Sequence, residues 1–354
     1  MFPHDGARPV VAQQSSGLRI SQDIEVGNRP LGGSAGRFRE KVMIGEITSI
    51  LEQSGAVAVG LAKAAPVEES AWKDFLDWIR RRGHAGMGYM ENHSAIRRDP
   101  RLLLESAKSI VSLAFPFKPP QFREKDKEMI ACYAYGLDYH DVIRKRLNRA
   151  VEEMRESFGG EYRICVDSAP IMERYWAVKA GIGKIGANGA VIVPGHGNMV
   201  FLAEIVTTLD IDCSGNPLKL DNDYRHCLHC GECIGECPAS ALLTDGTVES
   251  SRCLSYLTIE HRGEWTEPEA IEAMNTDAGK NLIFGCDLCL RNCPLNYDTP
   301  STAIHEFLPS REVMELSKEK IAELKQEDFS RIFKGSPIKR CKLSGLKRNI
   351  GENL

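Results

Sequence analysis

A run of regularly spaced cysteines in the second half of the chain constrains its fold more than any other feature. The run is Cys227-Leu-His-Cys230-Gly-Glu-Cys233-Ile-Gly-Glu-Cys237-Pro238. Three cysteines spaced three positions apart, then a fourth after three intervening residues and a proline, form the spacing typical of [4Fe–4S] binding. In chains that hold two clusters, the fourth cysteine of such a run binds the other cluster. The run therefore predicts a second set of cysteines.

That second set is present downstream. It consists of Cys253 and the segment Cys286-Asp-Leu-Cys289-Leu-Arg-Asn-Cys293-Pro294. The spacing rule assigns four ligands to each cluster. The first group is Cys227, Cys230, Cys233 and Cys293, and the second group is Cys237, Cys253, Cys286 and Cys289. The alternatives are a zinc site and a disulfide framework, but a zinc site needs four ligands rather than eight and leaves both Cys-Pro endings unexplained.

Bulk composition is that of an ordinary globular protein. The 354 residues are 42% apolar and 27% charged, which allows roughly two domains with a sizeable core. No apolar run approaches the ~20 residues that a membrane span requires, and the N-terminus lacks the basic-then-apolar layout of a secretory signal. Cysteines that bind iron as thiolates need a reducing compartment, so we expect a cytoplasmic protein with no membrane association.

Local patterns predict an α+β architecture. Residues 1–40 are rich in Gly, Pro, Ser and Gln, which is typical of a disordered extension. A catalytic domain is expected over residues 41–211, with a buried strand at 109–117 and an amphipathic helix at 141–158. The cysteine-rich region spans residues 212–300, and a basic tail occupies 301–354.

Two further strands are predicted at residues 190–194 and 199–207, separated by a Gly-His-Gly-Asn turn. Adjacent strands joined by a tight turn pair in antiparallel fashion, which argues against a doubly wound parallel sheet. The preceding segment Gly181-Ile-Gly183-Lys-Ile-Gly186 matches the dinucleotide fingerprint G-x-G-x-x-G. That fingerprint must follow a strand and open a helix, whereas this one follows a predicted helix and precedes a strand, so we expect no dinucleotide site.

Asp167 is the most notable acid outside the cysteine region. It follows an apolar strand predicted at residues 162–166 and lies close to Pro170. A rigid strand could aim its carboxylate into a cavity, where it would serve in acid–base chemistry. It could equally cap the helix predicted at residues 172–180. Asp138, at the start of another helix, is more simply explained as a cap.

Cations are concentrated near the C-terminus. The net charge of −4 argues neither for nor against a polyanionic partner. Between residues 334 and 348, however, six cations occur without an intervening acid, namely Lys334, Lys339, Arg340, Lys342, Lys347 and Arg348. Such a run is commonly a solvated face, but it also meets the requirement for contacts with a phosphate backbone.

Several longer segments give the sequence a specific resemblance. From about residue 44 to residue 350 it resembles the epoxyqueuosine reductases, cobalamin-dependent enzymes that complete queuosine in the tRNA anticodon. The segments are Asn92-His-Ser-Ala-Ile-Arg97-Arg-Asp-Pro100, Tyr133-Ala-Tyr-Gly-Leu-Asp-Tyr-His140, Val166-Asp-Ser-Ala-Pro170, Arg252-Cys-Leu-Ser-Tyr-Leu-Thr-Ile-Glu260, Phe284-Gly-Cys-Asp-Leu-Cys289 and Phe333-Lys-Gly-Ser-Pro-Ile-Lys-Arg340. A simple ferredoxin shares only the cysteines.

The resemblance implies a cobalamin-binding α/β-layer domain, similar to that of reductive dehalogenases, followed by a ferredoxin-like double [4Fe–4S] domain. It implies that cob(I)alamin, supplied with electrons by the two clusters, reduces epoxyqueuosine while Asp167 donates a proton. The residues implied to lie along the cobalamin are Arg97, Ala131, Asp167, Val191, Leu202, Ser255, Cys286 and Asp287. The implied partners are tRNA, bound by the basic tail, and an electron donor such as a flavodoxin or ferredoxin; we expect a monomer.

One observation on the residues agrees with this resemblance. Enzymes that bind the cobalt of a corrinoid through histidine contain D-x-H-x-x-G, and the nearest segment, Asp138-Tyr-His140, has Ile143 in place of the glycine. Cobalt without a protein ligand is easier to reduce. Two other functions are compatible with the cysteines: a dehalogenase-like oxidoreductase acting on a small substrate, and an electron-transfer protein of the 8Fe ferredoxin type.

Overall fold

The computed structural model describes residues 34–213 and 227–351, with side chains from residue 43 onward. The predicted extension at residues 1–40 lies largely outside this range, although its last residues are helical because the first helix begins at Ser34. Residues 40–354 make up one compact unit. Within the described ranges, no helix has the length and apolarity that a membrane span requires.

Helices and short strands alternate along the chain. The strands are β1 (Ala58–Lys63), β2 (Ser109–Pro116), β3 (Met129–Ile130), β4 (Tyr162–Cys165), β5 (Lys184–Ile185), β6 (Val191–Ile192), β7 (Val200–Thr207) and β8 (Leu282–Phe284). The helices are α1 (Ser34–Gln53), α2 (Glu69–Arg80), α3 (Ser94–Arg98), α4 (Tyr139–Phe158), α5 (Glu173–Lys179), α6 (Glu232–Gly235), α7 (Leu254–Ile259), α8 (Pro268–Met274), α9 (Asp277–Lys280), α10 (Leu288–Arg291), α11 (Arg311–Met314), α12 (Lys318–Glu323), α13 (Gln326–Ile332) and α14 (Lys342–Asn349). Short 3₁₀ helices include Cys132–Ala134, Pro294–Asn296, His305–Phe307 and Pro337–Cys341.

A four-stranded antiparallel sheet in the order β1-β2-β7-β4 forms the centre of the unit. Every residue of β2 is buried, as its apolar and β-branched sequence predicts. β7 pairs with β2 over eight residues, from Ser109↔Thr207 to Pro116↔Val200. Together with the helices that cover it, this sheet gives the α+β class expected from the sequence.

The hairpin predicted from residues 190–194 and 199–207 is wrong. β6 pairs instead with β5, and β7 pairs with β2 and β4, so the two segments lie in different sheets. Only a single bridge, Val193↔Gly197, closes the turn between them. The glycines of the G-x-G-x-x-G segment serve this packing, because a side chain at Gly183 would collide with the backbone of Ile192. The expected order, a helix before this segment and a strand after it, is confirmed by α5 and β6, and the segment itself also contains β5.

α4 confirms the amphipathic helix predicted at residues 141–158. Its apolar face is buried along the whole length, from Val142 to Met154. Asp138 caps the helix, because its Oδ1 accepts a hydrogen bond from the N–H of His140 at 3.0 Å. The helix ends at Gly159, whose φ of +66° lies in the region that favours glycine.

The residues after 301 fold back onto the core rather than projecting as a tail. The apolar side chains of these last helices are buried in the same core as those of α1, α4 and β7, and they include Ile304, Phe307, Phe329, Phe333, Ile338 and Leu346. The contact at Gly136 is especially close, since an added Cβ would lie 2.7 Å from the Cα of Phe307. The C-terminal segment is therefore an integral part of the compact unit.

The cysteine-rich segment is joined to the sheet layer by a second β contact. β3 pairs in parallel with β8, which lies just before Cys286. A small apolar core, formed by Leu254, Leu257, Ala270 and Leu282 among others, supports the segment from within. Residues 214–226, at the start of the predicted domain 212–300, lie outside the described residues.

The packing of the C-terminal helix can be tested by a substitution. Leu346→Ala removes a fully buried side chain of α14 and should lower the free energy of unfolding by about 2–5 kcal/mol. Leu102→Ala, at a position that is 60% exposed, should change it by no more than about 0.5 kcal/mol. Urea denaturation under reducing conditions measures both values. Equal stabilities of the two variants would show that α14 does not belong to the core.

Candidate functional site

Asp167 lies two residues beyond the end of β4 in an unusual backbone conformation. Its φ is +52°, a left-handed value that is rare for residues other than glycine. The N–H of Asp167 donates a hydrogen bond to Oε1 of Glu173 at 2.6 Å, which holds this conformation. α5 begins six residues later with Met172 at its cap position, so the capping interpretation of Asp167 is wrong.

Two residues at the start of α4 hold the carboxylate of Asp167. The Tyr139 hydroxyl donates to its Oδ2 at 2.6 Å, and Nε2 of His140 lies 2.9 Å from the same oxygen. Nδ1 of His140 lies 2.7 Å from Oδ1 of Asp138. Because each ring nitrogen faces a carboxylate oxygen, both nitrogens are placed to donate, which is the pattern of a protonated imidazole.

The ionisation of these groups follows from their contacts. Burial opposes the charge of His140, but its hydrogen bonds to Asp138 and Asp167 outweigh this effect and raise its pKa to about 9. Desolvation by the surrounding protein disfavours the charged form of Asp167 although its side chain is partly exposed, yet hydrogen bonds from His140 and Tyr139 lower its pKa below the usual value. Burial, followed by the nearby charge of Asp167, raises the pKa of Glu173 to about 8. At neutral pH Asp167 is ionised, while His140 and Glu173 hold protons.

A buried arginine, Arg97, completes the surroundings of Asp167. Arg97 is buried, and its Nη2 donates to the carbonyl oxygen of Tyr89 at 3.2 Å. Its Nε has no hydrogen-bond partner among the described residues. Burial lowers the pKa of Arg97, an effect that Tyr89, Glu173 and Asp167 oppose through their charge. The structure thus brings Arg97 and Asp167 into one electrostatic site.

Asp287 and Ala131 form a second part of the predicted site. Oδ2 of Asp287 accepts a hydrogen bond from the N–H of Cys132 at 2.8 Å, which places Asp287 beside Ala131. The other oxygen, Oδ1, is buried and has no partner within the described ranges. Ser255 lies in α7, two residues after Cys253.

Val191 and Leu202 lie in one apolar cluster on the other side of β7. Leu202 packs against a small buried cluster that contains Val191, Ala58 and Ala177. Its neighbour Phe201 points to the opposite face, as alternation along a strand requires, and stacks on Tyr139 with ring centroids 4.1 Å apart. The two faces of β7 therefore contact different parts of the predicted site.

The first group of cysteines surrounds a single cavity. Cys227, Cys230, Cys233 and Cys293 all line an open cavity of about 360 Å³, a volume that includes solvent-filled space. Burial raises the pKa of the Cys233 thiol, and the three other cysteines raise it further through their charge. Cys230 is exposed, so this group lies at the protein surface.

The second group of cysteines is also brought together. Burial raises the pKa of Cys289 well above its ordinary value, and Cys286, Cys253 and Cys237 add to this effect through their charge. Cys286 precedes Asp287 in the chain, so this group lies next to the Ala131 part of the site. Within each set of four the cysteines are near enough to influence one another through their charge, and the two ligand sets stay a prediction of the spacing rule.

Several residues of the site were not predicted from the sequence. Asp167 is contacted by Tyr139, His140 and Glu173. Tyr139 and His140 are distant from Asp167 along the chain, and Glu173 is separated from it by a turn. The Asp138-Tyr-His140 triplet at the start of a predicted helix was the sequence signal for Tyr139 and His140, but it was interpreted only as a helix cap made by Asp138. For Glu173 the sequence contained no such signal.

Comparisons with known proteins agree with this geometry. Residues 97–168 match the family described as epoxyqueuosine reductase QueG, DUF1730. Residues 226–296 match a 4Fe-4S double cluster binding domain. The first match includes Arg97 and Asp167, and the second includes all eight cysteines of the two groups.

Individual relatives cover most of the chain. An epoxyqueuosine reductase of Cyclobacterium marinum is 40% identical over 296 residues, which is 82% of this chain and 90% of the relative. The structure of an epoxyqueuosine reductase from Streptococcus thermophilus superposes with a TM-score of 0.72 at 28% identity, covering 86% of this chain and 79% of the other. A crystal structure of an epoxyqueuosine reductase with an epoxyqueuosine-modified tRNA stem loop has the same fold, with a TM-score of 0.72, 24% identity and coverage of 90% and 80%.

The charge of His140 makes a direct test of the site. The imidazole should stay protonated through neutral pH and titrate near pH 9 in an NMR titration of ¹⁵N-labelled histidines. Because the pKa is raised in the folded protein, the stabilisation by this charge is complete below pH 6.5 and is lost as the pH rises through about 9. Asp138→Asn removes one of the two carboxylates and should move the titration towards its ordinary value. A wild-type His140 that titrates near pH 6.5 would contradict the arrangement.

Proposed function

Because the chain belongs to the epoxyqueuosine reductase family, we propose that it reduces epoxyqueuosine to queuosine at the wobble position of tRNA. Electrons would pass through two [4Fe–4S] clusters to cobalamin, and Asp167 would donate a proton. The observation that carries this proposal is the assembly, in one compact unit, of two cysteine quartets with an aspartate poised beside a protonated histidine. The Asp167 side chain is 54% exposed, so a substrate can reach it.

The residues around Asp167 fit a corrinoid. A corrin ring is flat and apolar and is surrounded by carboxamide side chains, which both donate and accept hydrogen bonds. Val191 and Leu202 offer an apolar surface, while Nε of Arg97 and Oδ1 of Asp287 are a buried donor and a buried acceptor without partners among the described residues. Ala131, Ser255 and Cys286 would complete the contacts. When bound, cobalamin supplies a strongly reducing, nucleophilic metal centre that no side chain provides. The kinship of this layer to that of reductive dehalogenases stays a prediction.

Proton delivery is a task for the residues of this chain. Asp167 is ionised at neutral pH, so the proton that it transfers must reach it from a neighbour. Nε2 of His140 is within hydrogen-bond reach of Oδ2, and its proton can pass to that oxygen and then to the oxygen leaving the substrate. His140 keeps its orientation during the transfer because Nδ1 remains bound to Asp138. Tyr139 fixes the same carboxylate oxygen.

The two cysteine groups give the electron path a direction. The first group, with its exposed Cys230, is the natural entry point for an external donor such as a flavodoxin or ferredoxin. The second group adjoins Asp287 and Ala131, which are proposed to contact the cobalamin. Electrons would therefore enter at the first group and leave from the second.

Binding of tRNA involves fewer of the C-terminal cations than the sequence suggested. Arg340 forms an ion pair with Glu260, Arg348 is buried, and Nζ of Lys347 donates to the carbonyl oxygen of Ala322. The exposed cations of this region are Lys334, Lys339, Arg340 and Lys342, of which Arg340 is already paired with Glu260. We propose that these lysines contact the phosphate backbone, as the structural neighbour with a tRNA stem loop makes reasonable. A monomeric, cytoplasmic protein remains the expectation from the sequence.

Reconstitution tests the proposed function. The protein is loaded anaerobically with iron, sulfide and cobalamin, given a strong reductant, and incubated with tRNA that contains epoxyqueuosine. Mass spectrometry of the digested nucleosides should show queuosine, and none should form when cobalamin is omitted. Cobalamin binding without any conversion of the tRNA would favour a dehalogenase-like oxidoreductase. Failure to bind cobalamin would leave only the electron-transfer function.

The role of Asp167 can be separated from its structural contacts. Asp167→Asn keeps an oxygen that can accept from Tyr139 but cannot accept and release the proton, so the rate constant for conversion should fall by about 10²–10⁴. Tyr139→Phe is the matched control, because it removes one hydrogen bond to Oδ2 and leaves the carboxylate and His140 in place. Full turnover by Asp167→Asn with clusters and cobalamin bound would show that another group donates the proton.

A further inference from the structure

The turn before β7 brings an asparagine to the first cysteine group. Asn198 is only 3% exposed, and it lines the same cavity as Cys227, Cys230, Cys233 and Cys293. The approach is close because the preceding residue is Gly197, whose φ is +67° and whose missing Cβ would lie 2.8 Å from the carbonyl oxygen of Leu295. A residue of the sheet layer thus reaches the electron-entry site.

Hydrogen bonds fix which end of the Asn198 amide faces the cavity. The backbone N–H of Asn198 can only donate, so the atom of Asn296 that it contacts at 2.9 Å is the oxygen Oδ1. The amide nitrogen of Asn296 then donates to the carbonyl oxygen of Leu290 and to Oδ1 of Asn198, both at 2.6 Å. The oxygen of Asn198 is therefore engaged, and its Nδ2 group points away from Asn296.

This Nδ2 group is buried and makes no hydrogen bond to oxygen or nitrogen within the described ranges. A buried amide nitrogen without an acceptor is costly, which indicates that an acceptor belongs there. The side chains that line the cavity together with Asn198 include all four cysteines of the first group, so sulfur is the acceptor available there.

We propose that Asn198 donates an N–H···S hydrogen bond to the cluster held by Cys227, Cys230, Cys233 and Cys293 and thereby raises the reduction potential of that cluster. The inference rests on the ligand assignment made above. Reduction adds negative charge that is shared by the cluster sulfurs, so a hydrogen-bond donor stabilises the reduced form more than the oxidised one. Asn198 is a tuning residue and touches no substrate. Its effect would make the entry cluster easier to reduce.

The reduction potential itself gives the test. Asn198→Leu keeps the approximate volume and removes the donor. In an EPR-monitored redox titration of the anaerobically reconstituted protein, one of the two one-electron transitions should move to lower potential while the other stays in place. We expect a change of roughly tenfold in the reduction equilibrium, which for one electron corresponds to about 59 mV. If Asn198→Leu binds less iron than the wild type, Asn198→Ser, which is too short to span the same distance, is titrated in its place.

Asn188→Leu provides the matched control. Asn188 lines the same cavity, but its nitrogen already donates to the carbonyl oxygen of Cys289 and its oxygen accepts from the N–H of Ala190. Its replacement should leave the potential of the entry cluster within about threefold of the wild-type equilibrium. An unchanged potential in Asn198→Leu, or an equal shift of both transitions, would overturn the proposal. Because the titration uses no tRNA, these outcomes are independent of whether the protein acts on epoxyqueuosine.

Discussion

The pairing of β7 with β2 is the interaction on which the rest of the molecule depends. It fixes the register of β7 over eight residues in the middle of the sheet. Because side chains alternate, Phe201 supports Tyr139 and hence Asp167 on one face, while Leu202 joins Val191 on the other. The turn at the start of the same strand delivers Asn198 to the first cysteine group. A slip of one residue would exchange the two faces, so that Phe201 would no longer support Tyr139 and Leu202 would no longer join Val191.

Around Asp167 the dominant constraint is charge. Two carboxylates flank one imidazolium, and a third ionised carboxylate at Glu173 would be repelled by Asp167. Glu173 is neutral below about pH 8, whereas an unfolded chain would ionise it near pH 4.5, so its burial lowers stability progressively as the pH rises through this window. The stabilisation by the charge of His140 is likewise lost as the pH rises, over the overlapping range from 6.5 to about 9. The site is therefore most stable when His140 and Glu173 hold their protons.

The cysteine spacing and the longer elements were predictable from the sequence because each depends on local pattern. The eight cysteines follow a fixed spacing rule, and β2 and α4 have clear periodicities. The actual pairing of residues 190–207 was not predictable, because the short turn between the two segments favours a local hairpin while the packing of β7 between β2 and β4 prevails. The contacts of His140 and Glu173 with Asp167 depend on tertiary structure alone. Family membership supports the reductase activity, while the ligand sets and the proton donor stay predictions.

The C-terminal cations show why a charge run in sequence does not define a surface. Arg348 donates from both terminal nitrogens to the carbonyl oxygens of Leu257, His261 and Gly263 and lies over the ring of Trp265. Asn349 donates to the carbonyl oxygens of Thr258 and Ile283, so α14 binds both α7 and β8. A buried guanidinium is tolerated when carbonyl oxygens replace water in this way. On the opposite side, Lys118 binds three carbonyl oxygens just after Cys293. The cysteine-rich segment is therefore held at two places by elements outside it, which fixes its position relative to the sheet layer.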